Sequence, residues 1–335
     1  MNNEKKDFSI VIISKDNREL LVKNLASVRE ILLDHPEVEL IVVEATGEEP
    51  LAMELIRYVR VPPQDAGFSH QRNLGVQSAT AESIIFIDDD IQITPQWLGE
   101  LTRVMKEDSG ALGVLGAVFP QSPGVIGFCE GVLGHPGGGL RLHYQAHDTI
   151  MPLSQVSTCN TIIKKAAIED VGGFDLKNKF GSEDTDISIR ITKKFGSNKF
   201  RYNPRALVYH KPRNSIRRLI PWYIRRGKAD ADLFLKHTTH FGYFVRSSVL
   251  LKIIPVVLLA LFLRSPLVLL VPFFIWYFLK IYRYSFMRNY FNIYGFSRTR
   301  EIITVLIFPF VKLLADTMFD VGKIARVIAY GILKR

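Results

Sequence analysis

Acidic side chains all but vanish from the second part of this 335-residue chain: residues 190–335 carry 27 Lys and Arg against five Asp and Glu, whereas residues 1–189 carry 16 against 28. The formal net charge of +10 therefore conceals two regions with different partners. Cysteine is scarce as well. Cys129 and Cys159 are the whole complement and stand in no CxxC spacing. That excludes a disulfide framework and suits a reducing compartment for the globular part. Residues 1–7 are polar and lack the apolar stretch of a secretory signal, so the N-terminal domain is expected in the cytosol. No internal repeat or low-complexity tract is visible, and no apolar run reaches the roughly 20 residues of a full membrane span.

What is present divides along the chain. Short β-branched runs at 8–13, 38–43, 58–61, 83–87 and 112–118 alternate with helical periodicity at 18–33, 69–78 and 95–107. This pattern predicts a largely parallel sheet with crossover helices. Pro95 is expected in the first turn of its helix with Thr94 as the cap. From 120 to 152 the pattern dissolves into Gly, Pro and His, which predicts a long irregular loop of functional character. Regularity resumes with a strand at 157–163, a helix from Lys165, the turn Gly172-Gly173-Phe174-Asp175, a helix over 184–195 and a last strand at 206–209.

Beyond this, residues 211–228 hold seven basic residues and no acid, mixed with Ile216, Leu219, Ile220, Trp222 and Tyr223. Such a mixture suits an interfacial amphipathic segment, and a solvated basic helix is the other reading. Against an anionic membrane each Lys or Arg contributes roughly 1 kcal/mol. Nucleic acid fits less well and is not expected as a partner, because the apolar runs would have no role in a soluble nucleic-acid binder. Two of those runs, 249–263 and 266–279, flank Arg264-Ser265 and predict a helical hairpin with both ends in the cytosol by the distribution of cations. A third, 302–314, contains Lys312 and is followed by Asp316, Asp320 and Lys323; its polarity leaves two readings, a span or a segment lying flat on the membrane.

Two acidic clusters carry chemistry. Asp88-Asp89-Asp90 directly follows an apolar strand, which places carboxylates at the C-terminal end of a sheet strand where open α/β sheets bind ligands. Carboxylates there either hold a hard divalent cation or belong to an ordinary loop. Glu183-Asp184-Thr185-Asp186 opens a helix, where acids either cap the helix or supply a general base.

Taken in order and spacing, these motifs resemble the family 2 glycosyltransferases of GT-A fold over residues 8–210. The resemblance rests on the opening Ser9-Ile10-Val11-Ile12-Ile13-Ser14-Lys15-Asp16, on Ile41-Val42-Val43-Glu44, on Gly67-Phe68-Ser69-His70-Gln71-Arg72-Asn73, and on Ile87-Asp88-Asp89-Asp90. It continues with Asn160 to Asp175 and with Glu183-Asp184. It implies a Rossmann-like mixed α/β sheet followed by a mainly helical, membrane-associated C-terminal region. The implied division is a catalytic domain over 1–210, a basic interfacial linker over 211–244, a transmembrane hairpin over 245–282 and a basic helical tail over 283–335.

The same resemblance implies Asp184 as catalytic base. Ser14, Asp16, Glu44, Arg72, Asn73 and Asp88 fall on the donor side, and Asn160, Gly173, Phe174 and Glu183 on the acceptor side. Asp90 and His210 become ligands of Mn²⁺ or Mg²⁺, although a strand-end histidine without metal is the other reading of His210. Glu44 stands where the family usually has Asp. The histidines His135, His143 and His147 are expected on an acceptor-facing loop rather than around a second metal. The implied reaction moves a sugar, with inversion, from a nucleotide-diphosphate donor to a hydroxyl of a lipid-linked glycan at the cytosolic face of the cell membrane, in cell-envelope glycan synthesis. A polyprenyl-phosphate sugar synthase, a nucleotidyltransferase and a catalytically inactive membrane-anchored binding protein are the competing expectations.

Overall fold

The computed structural model describes residues 6–51, 53, 55–237 and 241–333. The polar residues 1–5, positions 238–240 of the expected linker and the last two residues of the basic tail lie outside the described residues. In chain order the elements are β1 (Phe8–Lys15), α1 (Arg18–Leu33), β2 (Val38–Ala45), β3 (Ile56–Val61), α2 (Phe68–Ser78), β4 (Ser83–Asp88), β5 (Ile91–Ile93), α3 (Trp97–Glu107), β6 (Gly113–Pro120), α4 (Val125–Leu133) and α5 (Gly139–Ala146). They continue with β7 (Met151–Leu153), β8 (Asn160–Lys164), α6 (Lys165–Glu169), α7 (Glu183–Phe195), β9 (Phe200–His210), α8 (Ile216–Lys236), α9 (Phe241–Ser247), α10 (Leu250–Phe262), α11 (Leu270–Arg283) and α12 (Arg298–Leu333). Two compact units result: one of residues 1–121, 134–179 and 183–211, the other of 122–133, 180–182 and 212–335.

The first unit is built on one sheet in the order β3-β2-β1-β4-β8-β6-β9-β5, with β7 also paired to β9. Strands β3, β2, β1 and β4 are parallel. Ile10, Ile12, Leu40, Val42, Ile85 and Ile87 are buried in the core with Leu21, Leu25 and Val28 of α1. Helix cover of this kind explains why these strands read as continuous apolar runs. The expected largely parallel sheet is corrected in its other half, where β8 runs antiparallel to both β4 and β6, and β5 and β7 run antiparallel to β9. Strands β5 and β7 span three residues each, too short for an alternation signal in the sequence.

Two further expectations are corrected. Helix α3 starts at Trp97 with Gln96 as its cap, and the Thr94 hydroxyl instead donates to Leu207 O at 2.9 Å, fastening the end of β5 to β9. The stretch 120–152 contains two helices and a strand rather than one irregular loop. Buried Gly127 and Gly131 interrupt the helical period of α4, which hid it in the sequence.

In the second unit α8 and α12 cross at Gly227 and Gly322. A Cβ built on Gly227 would meet the Phe319 carbonyl and stand 3.0 Å from the Gly322 Cα, and one on Gly322 would meet the Ile224 carbonyl. Only glycine lets backbones approach so closely. Asp320 of α12 accepts from Ser248 Oγ at 2.9 Å, Val249 N at 2.7 Å and Leu250 N at 2.9 Å, satisfying the orphan donors at the start of α10.

Two stretches, Pro266–Arg283 and Arg298–Gly331, are long and apolar enough to cross a membrane. The run 302–314, whose two readings are a span or a flat segment, belongs to the second of these. Part of its polarity is answered within the unit: Lys312 pairs with Asp316 at 2.8 Å, and Lys323 lies 3.4 Å from Asp230 and 3.8 Å from Asp320. Leu250–Phe262, the first arm of the expected hairpin, is a shorter helix of 13 residues.

Candidate active site

Register brings the chemistry-bearing residues of the first unit to one edge of its sheet. Ser14 lies beside Glu44, and Asp88 beside Ile13, at the C-terminal ends of β1, β2 and β4. After Asp88 the chain turns through Asp89 and Asp90 into β5, whose first residue, Ile91, pairs with His210 at the end of β9. Lys211 N closes the turn by donating to Asp90 O at 3.3 Å. This short strand, missed in the sequence, is what carries Asp90 to His210.

As a result Asp88, Asp90 and His210 each offer a ligand atom within 4.8 Å of the others, the one cluster of this kind among the described residues. His210 Nε2 stands 3.2 Å from Asp90 Oδ1. Two carboxylates and an imidazole are a donor set suited to a borderline-hard divalent cation such as Mn²⁺. The carboxylates are also uncomfortable without one. Asp88 exposes 30% of its side chain, yet the surrounding protein desolvates it and, with Asp90 nearby, pushes its pKa up to about 6 against the opposing pull of Arg72. Burial pushes Asp89 up to about 6 as well, although Ser14 Oγ donates to its Oδ2 at 2.6 Å.

Arg72 joins this cluster to the second acidic motif. One guanidinium nitrogen lies 3.7 Å from Asp88 Oδ1, and another donates to Glu183 Oε1. Desolvation raises the pKa of Glu183 despite Arg72, and no hydrogen-bond partner of its Oε2 is found among the described residues. Asp184, the next residue, is partly exposed and accepts Thr185 N at 2.7 Å through Oδ1.

Several of the expected contact residues turn inward. Glu44 is 1% exposed; Arg18 grips both its oxygens, at 3.1 and 2.7 Å, and Tyr58 Oη donates to it as well. Ser14 is buried and serves Asp89, while Asp16 is exposed with φ 54° at the mouth of the loop. Asn73 uses both ends of its amide on the backbone of Phe174, Nδ2 to its O and Oδ1 from its N, each at 2.8 Å.

Two residues expected on the acceptor side are buried. Asn160 is fully buried: it takes the indole N–H of Trp97 at 2.7 Å and donates to Ala117 O and Ala206 O at 2.9 Å each, spanning the irregularity in β6. Phe174 is 1% exposed, its ring edge-on to Phe86 at 5.5 Å. In both, the polar or apolar surface of the side chain is covered by the protein itself. Gly173, at φ +74°, has no room for a Cβ beside Asn73, and its carbonyl accepts from Arg190 at 2.7 Å.

His143 packs edge-on to Phe119 at 4.8 Å, and its burial lowers its pKa. Sequence reasoning passed over Gln71. Its amide donates to Ser14 O at 2.8 Å and Val43 O at 3.0 Å, tying the ends of β1 and β2 together, and its only signal was its place inside the Gly67–Asn73 segment.

Residues 9–125 match the profile described as Glycosyl transferase family 2. The chain is 27% identical over 187 residues to a pre-mycofactocin glycosyltransferase of Mycobacterium tuberculosis, covering 52% of this chain and 36% of that protein. It is 24% identical over 202 residues to the O-antigen biosynthesis protein RfbC of Myxococcus xanthus, covering 55% of this chain and 16% of that one. The chain thus spans well under half the length of these curated relatives. A crystal structure of GalNAc-T7 with UDP, GalNAc and Mn²⁺ superposes with TM-score 0.46 at 14% identity, covering 67% of this chain and 48% of the other. The mixed sheet, with its acidic turn after β4, defines the first unit as a GT-A domain. The likeness to glycosyl transferase family 2 extends over residues 9–125.

Proposed function

We propose that this protein is a metal-dependent, inverting glycosyltransferase that moves a sugar from a nucleotide-diphosphate donor to a hydroxyl of a lipid-linked glycan at the cytosolic membrane face. The observation that carries the reading is the continuous polar line from Asp90 and His210 through Asp88 and Arg72 to Glu183 and Asp184. A pure binding module has no need for a cation cluster joined to a free-facing acid.

In this reading Asp88, Asp90 and His210 hold Mn²⁺ or Mg²⁺, which supplies charge neutralisation for the diphosphate. Arg72, with its fork of donors, binds donor phosphate beside Asp88. Asp16, at the exposed mouth of the β1 loop, faces the nucleotide, whereas Glu44, Ser14 and Asn73 act behind the contact surface by fixing Arg18, Asp89 and Phe174. Asp184 takes the proton of the acceptor hydroxyl as its oxygen bonds to the anomeric carbon; the bond to the nucleoside diphosphate breaks on the opposite face, and the leaving group departs with the electron pair. Glu183, locked by Arg72, orients the acceptor.

The apolar stretches Pro266–Arg283 and Arg298–Gly331, and the basic segment before them, support a multi-pass membrane attachment that brings the site to a lipid-linked substrate. The names of the two relatives support glycan synthesis as the setting.

The test is nucleoside-diphosphate release by detergent-solubilised protein over a panel of nucleotide sugars and lipid-linked acceptors with Mn²⁺ or Mg²⁺. Wild type should release nucleotide only with metal, and Asp90→Ala and Asp184→Asn should each abolish transfer. Equal release by wild type and both variants would overturn the assignment.

A further inference from the structure

Helix α7 opens with three acids, Glu183, Asp184 and Asp186, and the first unit gives each a different setting. Glu183 is paired with Arg72 and Asp184 is partly exposed, whereas Asp186 is fully buried. Its partner is Arg190, one turn along the same helix: Asp186 Oδ2 accepts from Nε at 3.0 Å and stands 2.9 Å from Nη2. The same guanidinium also reaches off the helix. Its Nη1 donates to Val171 O at 2.5 Å and its Nη2 to Gly173 O at 2.7 Å.

Those two carbonyls belong to the turn that ends α6. Gly172 N donates to Glu169 O at 2.8 Å and Gly173 N to Ile168 O at 2.9 Å, the pair of bonds that closes a helix through a left-handed residue. Gly172 and Gly173 have φ +80° and +74°, where any side chain is strained. The turn thus spends its N–H groups on α6, and Arg190 takes the carbonyls of Val171 and Gly173. Asn73 of α2 holds the next residue, Phe174, by both ends of its amide at 2.8 Å each. Its neighbour Arg72 pairs with Glu183. A closed ring of contacts therefore runs from α2 through the turn to Arg190, back along α7 to Glu183, and to α2 again, all within the first unit. Asp184 lies in the chain between the two fastenings of α7, at Glu183 and Arg190.

The geometry points to Arg190 as a positioning residue, its guanidinium oriented by Asp186: by gripping the 171–173 turn it fixes the placement of α7 and so of Asp184. This rests on the transferase reading above. Arg190 touches no reacting atom in that assignment; it acts through the helix that carries the base. A planar fork of donors can serve one carboxylate and two carbonyls together, and a lysine ammonium cannot.

The test uses the full chain in detergent, read by steady-state kinetics and by hydrogen–deuterium exchange. Arg190→Lys keeps a cation beside Asp186, so the buried acid is not orphaned, but gives up the fork; kcat should fall about tenfold. Asp186→Asn combined with Arg190→Met removes both charges together and should lower kcat about 100-fold, the scale of a misplacement of about 1 Å at a catalytic group. In both variants donor KM and Mn²⁺ affinity should stay within about twofold. Exchange should rise over residues 171–175 and 183–187 and stay unchanged in β1 and β4. The proposal is overturned if either variant keeps the wild-type kcat, if donor and Mn²⁺ binding weaken along with kcat, or if exchange over those two segments is unchanged. If Asp184→Asn proves as active as wild type, the transferase reading fails, and the exchange measurement still decides whether Arg190 holds the turn and the helix.

Discussion

Arg72 of α2 and Glu183 of α7 form a buried ion pair, with side chains 6% and 7% exposed, although the motifs they belong to lie in different halves of the domain sequence. The same guanidinium reaches Asp88, so one side chain sets the electrostatics of both acidic motifs. Removing one member of such a pair leaves a charge buried without its partner. Arg72→Met is therefore expected to destabilise the first unit by about 3–5 kcal/mol, read from denaturant unfolding of the purified protein, whereas the charge-neutral double change Arg72→Met with Glu183→Leu should recover much of the loss.

Cation binding should depend on pH with a definite sign. Asp88 and Asp89 have pKa values pushed above the ordinary carboxylate value, to about 6, so each carries a proton below that pH. Mn²⁺ competes with those protons. Its affinity, followed by electron paramagnetic resonance of the free ion, is expected to be flat above pH 7 and to fall about tenfold or more per pH unit below about 6. Without cation the stability trend runs the opposite way: the raised carboxylates favour the folded state most below their unfolded value, and that contribution is lost as pH rises through about 6.

Asn160→Ala tests the framework role against an acceptor-binding one. The substitution strands the Trp97 indole N–H and the carbonyls of Ala117 and Ala206 in the core. A loss of about 3–5 kcal/mol in unfolding free energy is expected, with acceptor KM unchanged in the folded fraction. A raised acceptor KM at full stability would reverse the assignment.

Gly322→Val tests the α8–α12 crossing. Its side chain would drive into the Ile224 carbonyl, which belongs to backbone and cannot rotate away. A lowered melting transition of the detergent-solubilised protein is expected, by about 3 kcal/mol or more, larger than for Gly331→Val at an open position of the same helix.

The sequence made the parallel half of the sheet legible because its strands are long, apolar and covered on both faces. Helix α1 was readable to the residue for the same reason, its apolar stripe being regular. Strand β5 was not, since three residues carry no period, and with it went the reason Asp90 meets His210. At the site, the family resemblance named Asp88 and Arg72 on the donor side and Asp90 and His210 as metal ligands; the fold brings ligand atoms of Asp88, Asp90 and His210 within 4.8 Å of one another, with Arg72 3.7 Å from Asp88. Motif membership could not separate residues that face a ligand from those that hold the ones that do. Asn73, Asn160 and Glu44 are held by partners from distant elements, Phe174, Trp97 and Arg18, which no local pattern announces.

The pairing of β5 with β9 has a consequence for how the protein is made. Asp88 and Asp90 leave the ribosome early, but His210 closes the last strand of the sheet, after α7 and the Glu183–Asp184 pair have already emerged. Until β9 docks, the cluster is two acids without their imidazole. On the metal-binding reading proposed above, all three ligands are together only once β9 has docked, after the rest of the sheet has been made.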